Sequence, residues 1–317
     1  MGSTVFVFGS INADTSYRVA KLPAAGETVL ASSALESPGG KGANQAIAAA
    51  AAGSVTRMVG AVGDDSIAVS LLAALQARGV DTGAVSTIPG ADTGRAVVYV
   101  DDAAENSIVV LSGANNLVDG SVAGSGLDAL ARGDVLVLQS EVPAAANRAA
   151  ARLARAAGAV VIWNAAPAPS TADDLVREID LLVVNQHELV LLGSILGLPP
   201  VQDDADDAAL PALLSATARE LGTDAICTLG SAGAVYVVDG QTGTVAAPTV
   251  RAVDTTAAGD TVVGYLAAHS DLPIDRRLRL ANSAGALTVT RAGASSSIPQ
   301  LGEVEEMLAA LTERTPA

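Results

Sequence analysis

Short runs of consecutive apolar residues alternate along the chain with longer stretches rich in alanine and leucine. The strand-like runs are TVFVFG, VTRMVGAVG, GDVLVLQS, AVVIWNAA, DLLVVN, DAICTLG and GAVYVVDG. Between them lie helical stretches such as NQAIAAAAAG, SIAVSLLAALQARG, NRAAARLARAAG and LPALLSATARELG. A strand that is apolar on both faces must be covered on both, and helices interleaved between strands make the sheet parallel. The pattern predicts an α/β fold, a three-layer α/β/α sandwich around a mainly parallel sheet.

Two segments break this rhythm. Residues 14–37 and 94–112 alternate polar and apolar positions with turn-forming residues between, which predicts half-exposed antiparallel hairpins. A small antiparallel β layer projecting from an α/β body suggests a lid or a dimer surface. Without an internal repeat or a clear linker, residues 1–317 read as one domain carrying that lid. QDDADDAAL (202–210) reads as a solvated acidic loop or helix start.

Composition narrows the partners. Half the residues are apolar and only 2% aromatic, so the core is built from Val, Leu, Ile and Ala. A formal charge of −16 argues against a nucleic-acid or anionic-membrane surface, which needs a basic footprint. A nucleotide ligand stays open, since backbone N–H groups and a metal can hold its phosphates. The lone Cys227 permits no disulfide within the chain and reads as a buried strand thiol. The start MGSTVFVFGS has neither a signal-peptide n-region nor the myristoylation pattern, and no apolar stretch reaches membrane-spanning length. A cytoplasmic location is expected.

Two large nucleotide-binding classes fail on motif. LESPGGKGAN lacks the first glycine of a P-loop and has Gly42 where Ser or Thr belongs, and FGSINAD lacks the dinucleotide glycines. GGKGANQAIAAA nevertheless opens a helix with three glycines around Lys41, one of only two lysines in the chain. That arrangement allows close approach of a ligand to backbone N–H groups. It equally fits a glycine-rich helix start with an exposed lysine. In GSINAD, Asn12 and Asp14 fall on one side of an extended strand, able to grip a polyol or to form a simple turn. Glu141 follows the strand VLVLQ, in the crevice beyond strand carboxyl ends where parallel sheets bind ligands. In NQHE, Asn185 and Glu188 share a helix face, and their oxygens suit Mg²⁺ through water better than zinc. With only His187 and His269 in the chain, a histidine metal cluster is not expected. TLGSAGA leaves room for a ribose and phosphates, or is a plain strand turn. In VDTTAAGDT, small residues open a helix whose N–H groups can converge on an oxyanion. Asp260 at that terminus is either an N-cap or a base that the helix dipole keeps ionised.

In order and spacing, GSINAD, GGKGANQA, GDD, QSEVP, NAAPAP, NQHE, TLGSAG, VDTTAAGDT and VTRAGASSSIP resemble the ribokinase-like (PfkB) carbohydrate kinases. The resemblance spans about residue 5 to about 300. GGKGAN and DTTAAGDT are its most specific parts, and GSINAD with Glu141 narrows it towards members acting on D-ribose. It implies the ribokinase-like fold, ATP as phosphoryl donor, Mg²⁺ and a monovalent cation, K⁺. It further implies that Asn12, Asp14, Gly40, Lys41, Gly42, Asn44 and Glu141 hold the sugar and that Asp260 deprotonates its 5-hydroxyl. Ala257, Ala258 and Gly259 match the anion hole. Asn185, Thr228, Gly230, Ser231, Gly233 and Asn282 match nucleotide contacts, and Glu188 matches the acid that organises Mg²⁺ through water. Asp254, Thr256, Thr288, Arg291, Gly293 and Ser297 match the loop pair around K⁺, and the β lid matches a homodimer contact. Departures are Val262 and Val263 after the base, and Arg95, which is expected beside the sugar. The alternatives are a kinase for deoxyribose, a ketose or a nucleoside, and a non-catalytic sugar-binding regulator. Retention of Asp260 and Glu188 speaks against the regulator.

Overall fold

A computed structural model describes residues 3–101, 105–200 and 209–313. Residues 202–208 of the acidic stretch lie outside the described residues, while 209 and 210 begin a helix. In chain order the elements are β1 (Val5–Phe8), β2 (Asn12–Val19), β3 (Ala31–Gly39), α1 (Lys41–Ala51), β4 (Thr56–Gly63), α2 (Ser66–Ala77) and β5 (Val80–Ile88). They continue with β6 (Gly94–Val100), β7 (Asn106–Leu111), α3 (Gly120–Gly126), β8 (Val135–Gln139), α4 (Ala144–Ala157), β9 (Val160–Asn164), β10 (Leu181–Asn185) and α5 (Gln186–Ile195). The last are α6 (Ala209–Leu221), β11 (Asp224–Thr228), β12 (Ala234–Val238), β13 (Gln241–Val245), α7 (Ala258–Ala268), α8 (Ile274–Thr288) and α9 (Leu301–Glu313).

Nine strands form one sheet in the order β13-β12-β11-β10-β9-β8-β1-β4-β5. Pairing is parallel from β11 to β5. β12 and β13 run antiparallel, because the few residues between β11 and β12 are too short for a crossover. The central strands are buried on both faces, which explains their unbroken apolar runs. Val5 and Val7 pack with α1, α7 and α8, whereas Phe6 and Phe8 face the layer containing α3 to α6.

The two alternating segments supply a separate four-stranded sheet, β3-β2-β6-β7. Each is an antiparallel pair, as expected. β2 and β6 then join the pairs in parallel.

The alanine run of α1 has a purpose that only packing reveals. A Cβ added at Gly264 in α7 would lie 2.7 Å from the Gln45 carbonyl oxygen and 2.8 Å from the Ala49 nitrogen. The two helices therefore touch backbone to backbone, which brings the start of α1 alongside the start of α7. Gly264→Val is expected to wedge them apart, destabilising the protein by about 1–3 kcal/mol. A melting temperature unchanged from wild type would remove this reading of the helix contact.

Candidate active site

The start of α1 sits directly on the loop after β1. Gly40 adopts φ 84°, a left-handed conformation that a side chain resists. A Cβ at Gly42 would come within 2.6 Å of the Ser10 carbonyl oxygen. The adjoining N–H of Lys41 donates to Glu141 Oε2 at 2.9 Å, and that same oxygen accepts from Ser10 Oγ at 2.5 Å. Glu141 thus ties together the loops after β1 and β8 and the first residue of α1.

Asp260 lies in the first turn of α7 and is 8% exposed. Its Oδ2 accepts from Asn44 Nδ2 at 3.1 Å and its Oδ1 from Gln45 Nε2 at 2.9 Å. Gln45 Nε2 also donates to Asn164 Oδ1 at 3.0 Å. Burial pushes the Asp260 carboxyl above its ordinary range, opposed by Lys41, Asn44 and Gln45. Desolvation by burial thus acts against the charged form, while Lys41 and the two amides act for it. Around Lys41, burial favours the neutral amine, but Asp260, Glu141 and Glu188 outweigh it and raise its pKa.

The turn before α7 places Ala257 at φ 61°, a left-handed conformation for a residue with a side chain. Of the expected anion-hole amides, that of Ala258 donates internally, to the Thr255 carbonyl at 3.3 Å.

Asn12 and Asp14 do share a side of β2. Asn12 Oδ1 accepts from Asn115 Nδ2 at 2.7 Å, and Asn115 also holds the Ile11 backbone at 2.9 Å. Asp14 Oδ1 is buried without a partner, as is Asn44 Oδ1. Two orphaned acceptors close to Asp260 are the structure's clearest request for hydroxyl donors. Burial, then Glu141 and Asp260, push the Asp14 carboxyl up to about 7. Arg95, expected beside the sugar, is in register with Ala13 and so faces the other side of the small sheet. There it pairs with Asp65 at 3.5 Å. Val262 and Val263 are both buried, each lining one of the two cavities described next.

A cavity of about 230 Å³ is bounded by Lys41, Asn185, Glu188, Thr255, Ala257 and Asp260. It shares Thr228, Thr255 and Gly259 with a slot of about 440 Å³. That slot is walled by Gly230, Ser231, Gly233, Val250, Asn282 and Val289. The Asn282 amide is partly spent on the Val245 carbonyl, at 2.9 Å. A largely apolar slot leading to a polar pocket with a buried carboxylate and a lysine suits a flat base with a charged tail.

Asn185 and Glu188 form a capping box at α5, each side chain accepting from the other's N–H at 2.8 Å. One oxygen of each is spent there, leaving Glu188 Oε1 to face other groups. No group of three His, Cys, Asp or Glu among the described residues could hold a metal. These residues therefore fit Mg²⁺ only through water and phosphate oxygens. The loop pair expected around K⁺ is joined by Asp254, which accepts from Thr256 N–H and Gly293 N–H, each at 2.9 Å. Burial works against its charge, but bonds from Thr256 and Gly293 prevail and lower its pKa. The side chains of Thr288, Arg291 and Ser297 turn to Ala284, Glu303 and Ala294. A monovalent cation there would have to use backbone carbonyls beside an ionised Asp254, which suits a weakly hydrated ion.

Sequence reading missed Gln45, Asn115 and Asn164. Gln45 stood within the quoted GGKGANQ, but its contacts depend on residues over a hundred positions away.

A buried carboxylate at a helix start and a lysine stand beside a nucleotide-sized slot, an arrangement that suits phosphoryl transfer to an alcohol. Residues 3–301 match the model of the pfkB family of carbohydrate kinases. The chain is 37% identical over 311 residues to a ribokinase of Schizosaccharomyces pombe, covering 95% of this chain and 96% of that one. A ribokinase structure from Thermotoga maritima superimposes with a TM-score of 0.86 at 29% identity, covering 98% and 100% of the two chains. The Arabidopsis thaliana ribokinase solved with ribose and ATP gives 0.82 at 28%, covering 97% and 99%. The chain belongs to the pfkB family of carbohydrate kinases.

Proposed function

We propose that the protein is an ATP-dependent D-ribose kinase that phosphorylates the 5-hydroxyl to give D-ribose 5-phosphate. The observation that carries this reading is Asp260, buried between Asn44 and Gln45 in a cavity continuous with the slot. Asp14 and Asn44 offer buried acceptors to sugar hydroxyls, while Asn12, Gly40, Lys41, Gly42 and Glu141 complete the sugar's walls. Slot residues Thr228, Gly230, Ser231, Gly233 and Asn282, with Asn185 at its margin, receive adenine and ribose of ATP.

In the reaction the sugar's 5-oxygen attacks the γ-phosphorus in line as the bond to the β-bridging oxygen breaks, and ADP leaves. The hydroxyl proton passes to Asp260, whose raised pKa suits the task, since a base works best with a pKa near operating pH. Amides of Ala257 and Gly259 and the Lys41 ammonium meet charge developing on the transferred group, and that of Ala258 joins them by exchanging its bond to the Thr255 carbonyl. Magnesium, when bound with ATP, supplies positive charge to the phosphate oxygens; Glu188 would orient its waters. Potassium, held by the loops of Asp254, Thr256, Thr288, Arg291, Gly293 and Ser297, would fix the turn that starts α7.

The chain reads as one domain whose four-stranded sheet is a lid that excludes water from the transfer. Leu35, Val109 and Val110 on that sheet are more than half exposed, which supports a homodimer formed lid to lid. No helix among the described residues is long and apolar enough to cross a membrane, and the acidic charge offers nucleic acid no footprint. A cytoplasmic setting agrees with both.

The test is ADP release with ribose, 2-deoxyribose, fructose and adenosine as acceptors, in potassium and in sodium buffer. Ribose is expected to exceed every other acceptor by at least about tenfold in kcat/KM. Potassium is expected to raise the rate over sodium. Equal turnover of 2-deoxyribose would remove the ribose assignment, and equal rates in both salts would remove the cation loops.

A further inference from the structure

We propose that Gln45 is the positioning residue of the phosphoryl-transfer base, locking Asp260 to the end of β9 through Asn164. The proposal rests on the kinase reading and concerns the same site.

The direction of each amide is fixed by its neighbours. Asn164 Nδ2 donates to the Val183 carbonyl at 3.0 Å, a backbone group of β10, so only its Oδ1 is left to face Gln45. Gln45 Nε2 must then donate to Asn164, and its other hydrogen points at Asp260 Oδ1 at 2.9 Å. A flipped Gln45 would set its carbonyl oxygen against both the Asn164 oxygen and the carboxylate. Donation therefore diverges from Gln45, through Asn164 to the sheet backbone on one side and directly to the base on the other.

Two features set Gln45 apart from packing. It is 0% exposed, yet its Oε1 has no hydrogen-bond partner. A purely structural amide would satisfy that oxygen; here both hydrogens are aimed while the acceptor is left orphaned. Asn44 already holds Oδ2 from the same turn of α1, so the two amides grip one carboxylate oxygen each. With one donor on each oxygen, the carboxylate is held against rotation, and each oxygen keeps a further lone pair for an acceptor hydroxyl. The backbone contact at Gly264 brings this turn of α1 close enough to do so.

The groups that act on Asp260 from surrounding elements are Lys41 on α1, Glu141 after β8, Glu188 on α5 and Asp14 on β2. None is changed by substituting Gln45, so any difference between variant and wild type belongs to the lost donor.

The experiment compares wild type with Gln45→Met and Asn164→Ser, measuring kcat, KM for ATP and ribose, and the pH profile of kcat. Gln45→Met keeps length and removes both donors, and kcat is expected to fall by roughly ten- to a hundredfold as the base loses its orientation. KM for ATP should stay within about twofold, since no nucleotide contact is touched. Removing a donor from an ionised carboxylate favours its protonated form, so the acid limb of the kcat profile should move to higher pH. Asn164→Ser leaves Gln45 in place but unaligned, and should move the same limb in the same direction by less. It also keeps the test alive if Gln45→Met does not fold. An active wild type whose acid limb is unmoved in the folded variants overturns the role of Gln45 alone. A wild type that shows no acid limb, or no sugar turnover, overturns the kinase reading beneath it.

Discussion

Asp260→Asn is expected to cut ribose phosphorylation by about 10²–10⁴-fold, the usual range for losing a general base. The shape of the side chain is preserved, so the loss reports the chemistry. An asparagine cannot take the hydroxyl proton, and its own amide would face either Asn44 Nδ2 or Gln45 Nε2, donor against donor. That mismatch costs about 1–3 kcal/mol. Against it stands the removal of a buried charge whose carboxyl burial already forces upward. The two offset, so the melting temperature should move little while turnover collapses. ATP affinity should persist, because the slot walls lie beyond the carboxylate. Single-turnover kinetics alongside calorimetric titration of ATP separates the effects. Turnover within a few fold of wild type would remove Asp260 from the reaction.

At pH 8, Asp14→Asn should stabilise the unliganded protein while crippling sugar use. In the folded chain this carboxyl titrates at about 7 against an ordinary 3.8, because it is buried near Glu141 and Asp260. A raised pKa means the folded state holds its proton where the unfolded state has lost it. Stability is therefore full below about pH 4 and falls as pH rises towards about 7. Above that window the wild type carries an unfavourable buried charge; the neutral asparagine does not. After allowance for partial solvent screening, the variant should gain on the order of 2 kcal/mol at pH 8 and almost nothing at pH 4. Sugar recognition should move the other way. A charged acceptor for sugar hydroxyls contributes about 1.5–3 kcal/mol, so kcat/KM for ribose should fall roughly 10- to 100-fold. Melting curves at the two pH values decide it: a variant no more stable than wild type at pH 8 would contradict the buried-charge account.

Much of this architecture was legible before any coordinates. The sheet strands buried on both faces announce themselves as unbroken apolar runs, and the alternating segments as a separate, half-exposed sheet. β5 escaped because VDTGAVSTI alternates like an edge strand and follows its helix without a turn cluster. α3 escaped because GSVAGSG has no apolar periodicity; Asp119 caps it from outside, bonding the Ser121 and Val122 amides. At the site, Asp260, Lys41, Asn44 and Glu141 stand in local motifs whose chemistry can be named from spacing. Gln45, Asn115 and Asn164 could not be found that way, since each acts on a residue a hundred or more positions away. The environment of Asp260 was only half visible for a related reason. A helix terminus is visible in sequence, while the burial of its carboxylate arises only when α1 closes against α7. The face that Arg95 takes was not legible either, since strand pairing sets it, in register with Ala13 between Asn12 and Asp14.

The most direct test follows the phosphorus itself. With wild-type protein, ribose and Mg-ATP in potassium buffer, two-dimensional proton–phosphorus NMR of the product should couple the new phosphate to the two C5 protons of ribose. Coupling to the C1 proton, or release of inorganic phosphate with the sugar unchanged, would contradict a base poised against the primary hydroxyl.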